Sequence, residues 1–312
     1  MENISESVIN EIKKVVSGKD EIIKKVVSAV FAGGSVLLED VPGVGKTTLA
    51  LAVSKAFGLK FKRIQFTPDT VASDIMGYTA YDSAAGKFVY HEGAAMTNIL
   101  LADEINRTSG KTQSALLEVM EEGTCTVDGV KHEVLKPFSV IATQNPSGSA
   151  GTSKLPQSQL DRFLIKLKMG YPDKDSMRKI LQERHHSNPL DDMRTVCTLE
   201  ELLETQEKCR NVFVDDKIYD YISQLCEESR NSPLVSVGVS PRGALALCKM
   251  AKATAFCEGR NYVVPQDIRA NFYNVCGHRI ILSAKAKIAE KSEFNVLEEV
   301  LKSVKSPEVA SE

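Results

Sequence analysis

The seven cysteines of this 312-residue chain never fall in a C-x-x-C pair, and an odd number leaves no complete disulfide framework. That argues against a four-thiolate zinc site and for small, buried, apolar thiols in a reducing compartment. The five histidines (91, 132, 185, 186 and 278) show no metal-ligand spacing either. A basic surplus is also missing. Thirty-nine Lys and Arg stand against 41 Asp and Glu, a formal charge of −2, so nothing draws the chain in general towards nucleic acid or an anionic membrane. Long apolar runs are absent too: the longest mostly apolar stretch, Val26 to Leu38, is broken by Gly33-Gly34. The opening MENISESVINEIKK has neither a basic n-region nor an apolar core. The expectation is a cytoplasmic protein with no membrane insertion, long enough for two domains.

What is present begins at Val36-Leu37-Leu38-Glu39, a short apolar strand, followed by Asp40-Val41-Pro42-Gly43-Val44-Gly45-Lys46-Thr47-Thr48. Strand, glycine-rich turn and apolar helical start come in the order of a phosphate-binding loop. The glycines let backbone N–H groups approach phosphates, and the helix N-terminus favours negative charge. Lys46 would reach the β- and γ-phosphates of ATP, and the Thr47 hydroxyl would hold Mg²⁺. Asp40 stands where the first glycine of the G-x-x-x-x-G-K-[ST] pattern is usual.

Leu59 to Phe66 reads as a strand, and a further one, Asn98 to Glu104, ends in Asp103-Glu104. Carboxylates at the carboxyl end of a parallel strand face the crevice where open α/β sheets bind ligands. Asp103 is the candidate Mg²⁺ ligand, and Glu104 the candidate base for the attacking water. Phe138 to Thr143 reads as another apolar strand and delivers Asn145 to the same crevice, although Asn-Pro is also simply a good turn. Residues 4–16, with Val15 and Val16, have helical spacing, and Ser17-Gly18-Lys19-Asp20 breaks it before a second helix. Val16 and Gly18 there either present backbone to an adenine ring or form a plain helix–helix turn. Thr112 to Glu122 is an amphipathic helix, and 124–134 alternates around Asp128-Gly129 as a hairpin. Residues 67–93 are polar and aperiodic. After Gly170 only helices are read, at 176–184, 199–207, 216–229, 241–257 and 265–276. The expected division is a nucleotide-binding core (1–169), a helical lid (170–304) and a frayed tail (305–312).

In this order the motifs resemble the MoxR family of AAA+ ATPases. The matches are P-G-V-G-K-T, R-I-Q-F-T-P-D-T (63–70), N-I-L-L-A-D-E-I-N-R (98–107), K-T-Q-S-A-L-L-E-V-M (111–120), V-I-A-T-Q-N-P (140–146), L-D-R-F (160–163) and S-P-R-G (240–243). The resemblance implies an α/β fold: a five-stranded parallel P-loop sheet with helices on both faces, followed by a smaller all-α lid. It implies ATP hydrolysis with Mg²⁺, a homo-oligomeric ring, most often a hexamer, and chaperone-like work on protein clients, often with a von Willebrand factor A domain. By the family pattern Asn145 is a γ-phosphate sensor and Arg242 a second sensor swung in by the lid. Arg162 is an arginine finger acting on the neighbour's ATP, and 124–134 is a client-touching hairpin. Two segments depart from the pattern, Thr108-Ser109-Gly110 and 92–98. Alternatives from other classes are a nucleic-acid motor or loader ATPase and the ATPase subunit of a metal-chelatase-like complex.

Overall fold

The computed structural model describes residues 4–41, 43–145, 154–183 and 188–308. Two helices, α1 (Ile4–Lys13) and α2 (Asp20–Phe31), precede β1 (Val36–Glu39), and α3 (Lys46–Ala56) leads on to β2 (Phe61–Gln65). Then come α4 (Ala72–Met76), β3 (Gly77–Asp82), β4 (Lys87–Glu92), β5 (Ile99–Asp103) and α5 (Gly110–Glu122). They are followed by β6 (Thr124–Val127), β7 (Val130–Glu133), β8 (Ser139–Gln144), α6 (Gln157–Leu160) and β9 (Ile165–Leu167). The remainder is α7 (Lys174–Glu183), α8 (Leu199–Arg210), α9 (Asp216–Asn231), β10 (Val235–Val237), α10 (Pro241–Cys257), α11 (Pro265–Cys276), β11 (Ile281–Leu282), α12 (Ala284–Ile288) and α13 (Glu293–Ser303).

Five strands pair in the order β2-β5-β8-β1-β9, all parallel. The central strands β5 and β8 are buried at every residue, while edge strand β2 alternates, as expected when both faces of a parallel sheet are covered. Successive residues feed opposite cores. Val36, Leu38, Leu101 and Ile141 pack with α1–α3 and the later helices, whereas Leu37, Leu100, Val140 and Ala142 pack with Leu116 and Leu117 of α5. Strand order reverses at β1, which lies between β8 and β9 although α3 carries the chain from it to the far edge. A crevice forms at the carboxyl ends of strands at such a point. The expected sheet, with helices on both faces and a helical region after it, is therefore the observed one.

The hairpin read around Asp128-Gly129 is β6–β7, and both turn residues have positive φ (49° and 79°), which the Asp-Gly pair accommodates. Residues 67–97 differ from the expectation of an aperiodic stretch, since they hold α4 and the antiparallel pair β3–β4. Only Gly77 of that pair is buried and Tyr90 packs against the core, so little hydrophobic period marks it. Its cross-strand contact Tyr81–Phe88 (5.4 Å) is exposed, and Asp82 Oδ1 accepts the Ala84 and Ala85 amides in its turn. The Tyr90 ring stacks on His132 at 3.7 Å, joining this hairpin to β6–β7. The β10–β11 pair, α12 and α13 also lay outside the sequence reading.

Gly93 anchors the root of β3–β4. A Cβ there would stand 2.2 Å from Ile75 O and 2.3 Å from Gly77 N, both backbone atoms that cannot yield. Gly93→Ala is expected to destabilise the fold by about 1–3 kcal/mol, as overpacking does. Thermal unfolding reads this as a Tm lowered by several degrees; an unchanged Tm would show the hairpin root to be pliable.

Candidate active site

The loop after β1 depends on backbone conformations that side chains disfavour. Gly43 and Gly45 have φ of 86° and 99°, and Gly45 is the N-cap of α3. Nothing among the described residues lies within 4 Å of a Cβ built on Gly43, so the loop is open at that point. Lys46, Thr47 and Thr48 begin α3, whose first-turn amides have no partner within the helix. Val44 is buried behind them. Pro42 lies outside the described residues. Lys46 is buried and donates from Nζ to Asp40 O at 2.6 Å. Burial pushes its ammonium below the ordinary lysine value, while the charges of Asp103, Asp40 and Glu104 pull it back up.

Asp40, the departure from the usual glycine, has a structural reason. Its Oδ1 accepts the Val41 amide, and its Oδ2 accepts the Gly170 amide at 2.5 Å. The carboxylate thus ties the phosphate loop to the chain leaving β9. Lys19 Nζ in turn donates to Tyr171 O, and a Cβ on Gly18 would strike Ser176 Oγ at 2.0 Å. Buried Val16, Gly18, the 170–176 segment and the phosphate loop are therefore stitched into one wall.

Asp103 and Glu104 are set by the neighbouring strand. Thr143 Oγ1 donates to Asp103 Oδ1 at 2.6 Å and accepts the Glu104 amide at 2.9 Å. Asp103 Oδ2 accepts from Arg63 Nη2 at 2.7 Å. Each carboxylate oxygen retains a further lone pair, so Asp103 can still face a cation directly or through water. Glu104 has φ 57° and ψ 46°, a left-handed conformation that disfavours a side chain by about 1–2 kcal/mol. Three donors hold its carboxylate there: Asn145 Nδ2 on Oε1 (3.0 Å), and Gln65 Nε2 (3.0 Å) and Arg107 Nη1 (2.9 Å) on Oε2. The Arg107 hydrogen bond, helped by Asn145, keeps the carboxyl below its ordinary range and hence ionised.

Asn145 is buried, and its Oδ1 has no hydrogen-bond partner among the described residues. An acceptor of this kind beside an ionised carboxylate at a strand end is what a bound water, as donor, would satisfy. These residues fit ATP with Mg²⁺. Lys46 and the amides of the loop and α3 would hold phosphates, and Thr47 and Asp103 would hold the metal. Gln65, Arg63, Arg107, Thr143 and Asn106 complete the site without having been singled out from sequence. The last exchanges hydrogen bonds between its amide and the Asn145 backbone. Gln65 and Arg63 lie two apart on an edge strand, and only their pairing with β5 gives them a role.

The two arginines are elsewhere. Arg162, Arg242 and Glu121 line a cavity of about 320 Å³ with Ser35, Phe138 and Leu164. Those last three residues precede β1, β8 and β9, so the cavity lies at the amino ends of the strands, opposite Lys46. Arg162 donates to Leu117 O (2.9 Å) and pairs with Glu121 Oε2 (2.5 Å), while Arg242 pairs with Glu121 Oε1. Arg242 therefore does not join Lys46 within the chain, as a lid-borne sensor swung onto its own loop would. It joins Arg162.

This sheet order, loop and Asp-Glu strand end define an AAA-type nucleotide-binding protein. Residues 35–165 match the family model "ATPase family associated with various cellular activities (AAA)", and 227–300 match an AAA lid domain. The chain belongs to the MoxR family of AAA+ ATPases. It is 36% identical to Chaperone MoxR1 of Mycobacterium tuberculosis, over 97% of this chain and 82% of that one. It is 45% identical to the Bacillus subtilis protein YeaC over 96% and 93% of the respective chains. A crystal structure of a Cytophaga hutchinsonii protein assigned as an ATPase superposes with a TM-score of 0.92 at 35% identity, covering 98% of this chain and 96% of that one. No helix among the described residues is long and apolar enough to cross a membrane.

The hold on Glu104 has a pH consequence. The ionised carboxylate is the proton-accepting form, and a lowered pKa keeps it ionised into more acid solution. Arg107→Ala removes the main cause, so the acid limb of kcat is expected to move up towards the ordinary carboxylate range. A pH–rate profile whose acid limb stays where it was would sever Arg107 from the base.

Proposed function

We propose that the chain hydrolyses ATP at a site shared between neighbouring copies in a ring, a hexamer by family resemblance, and uses the turnover to remodel protein partners. Residues 1–169 act as the nucleotide-binding core and 170–304 as its lid. The observation that carries the reading is the separation of the two halves of the site. Lys46 and Glu104 are at the carboxyl ends of the strands, Arg162 and Arg242 at the amino ends. One copy cannot close both around one nucleotide. A second copy, set head to tail, brings its arginines to the first copy's open phosphate loop.

Within that site Lys46 neutralises charge between the outer phosphates, and the α3 amides cradle them. Mg²⁺, held by Thr47 and Asp103, would offset charge on the phosphate oxygens. Asn145 positions the attacking water through its unpartnered Oδ1. Glu104, kept ionised by Arg107, takes a proton from the water as the new oxygen–phosphorus bond forms and the bond to the bridging oxygen breaks, with ADP leaving. Arg162 and Arg242 stabilise the charge that builds on the transferring group. Val16 and Gly18 line the base side of the nucleotide, next to the 170–176 wall.

Support for protein clients comes from the name of the M. tuberculosis relative and from the exposed faces of the two stacked hairpins. Tyr81, Phe88 and Val130 are 60%, 73% and 57% exposed there. Partners with a von Willebrand factor A domain follow from the family resemblance. The hairpins connect to the site: Thr108 and Thr112, just beyond Glu104, both donate to Thr70 O at the entry to α4.

Glu104→Gln should bind ATP and barely hydrolyse it, because an amide cannot take the proton. Arg162→Ala should lower kcat about 10³-fold or more, as for other arginine fingers, with little change in ATP affinity. Mixing Arg162→Ala with Lys46→Ala, itself unable to bind ATP, should restore activity at interfaces that pair an intact loop with an intact finger. If subunits exchange and no mixture regains turnover, the site is not shared. Separately, replacing Val130 and Lys131 by Gly and Ser should leave basal turnover and Tm unchanged and weaken stimulation by a protein client. Loss of basal turnover would instead make β6–β7 a structural element.

A further inference from the structure

Two guanidinium groups with like charge do not converge on their own, and α10 begins where a cation is disfavoured, one residue after its N-cap Ser240. Arg242 is nevertheless turned back to the core, and Glu121, at the end of α5, is the acceptor that its ion pair uses. The same carboxylate takes Arg162 with its other oxygen, while Leu117 O accepts a second Arg162 donor. Each guanidinium carries five N–H donors, so both keep donors free for an incoming anion. All three side chains are partly open to solvent, at 32% (Arg162), 37% (Glu121) and 45% (Arg242), which leaves the pair within reach of another molecule. Asp161 is engaged elsewhere: it holds Arg279 and Ser240 and does not stand in for Glu121.

We infer that Glu121 is a positioning residue for the shared site. It clamps Arg242, carried by a helix of the lid, against Arg162, carried by the core, so that both reach one phosphoryl group of the neighbour's nucleotide. This rests on the reading that the two arginines act on a neighbouring copy. Without the Glu121 charge the guanidiniums repel each other and Arg242 follows the solvent. Misplacement of this kind lowers turnover without changing how the neighbour's own loop binds ATP.

The test compares Glu121→Gln, Arg242→Ala, the double variant and Arg162→Ala, at chain concentrations where the ring is assembled. Glu121→Gln is expected to lower kcat roughly ten- to a hundredfold, with KM, ATP affinity and Tm unchanged. It should add nothing further in the Arg242→Ala background. A Glu121→Gln protein with unchanged or raised kcat, beside an inactive Arg162→Ala, overturns the positioning role and leaves the shared site standing. Equal losses from Glu121→Gln with and without Arg242 also overturn it, because the carboxylate then acts on something other than that arginine. Full turnover in Arg162→Ala overturns the shared site and this inference together.

Discussion

One hydroxyl organises the chemistry of this molecule. Thr143 Oγ1 is fully buried between β5 and β8, donating to Asp103 and accepting from the Glu104 amide. A buried hydroxyl has one proton to give, and here it goes to the Asp103 carboxylate. Its lone pair then receives the amide that holds Glu104 in a left-handed conformation, turning the second carboxylate away from the first. Two acids adjacent in sequence thereby acquire different surroundings. The arrangement exists only because the strands are parallel and in register, with Leu101 opposite Ile141 and Ala102 opposite Ala142.

Helix α5 links this strand end to the cluster of Glu121, Arg162 and Arg242. Its N-cap Ser109 accepts the Thr112 amide, and Thr112 holds Thr70, so the first turn is bound to the loop after β2. Twelve residues after Ser109, about 18 Å along the axis, it presents Glu121 to the arginines. Any tilt imposed near Glu104 is felt at Glu121, and the base of β6–β7 follows directly from the helix end through Gly123.

Much of this was legible in the chain. The glycines at 43 and 45 demand positive φ, and Lys-Thr after them has no purpose in an ordinary turn. Asp128-Gly129 allows few conformations other than the one observed. Residues 67–97 were not legible, because β3–β4 is a two-stranded pair that buries little, and burial is what writes a period into sequence. Asp40 looked like a flaw in the phosphate loop. The structure gives it an anchoring role, since a glycine could not hold the Gly170 amide.

Sequence alone determined the apolar strands, the phosphate loop and the Asp-Glu strand end, because each is written in a few contiguous residues whose types restrict the backbone. Tertiary structure alone decided which distant polar groups meet. Gln65 and Arg107 reach Glu104, Arg63 and Thr143 reach Asp103, and Arg242 reaches Glu121 rather than Lys46. Such meetings depend on strand order and on the direction in which the lid helices pack, and no local spacing encodes either.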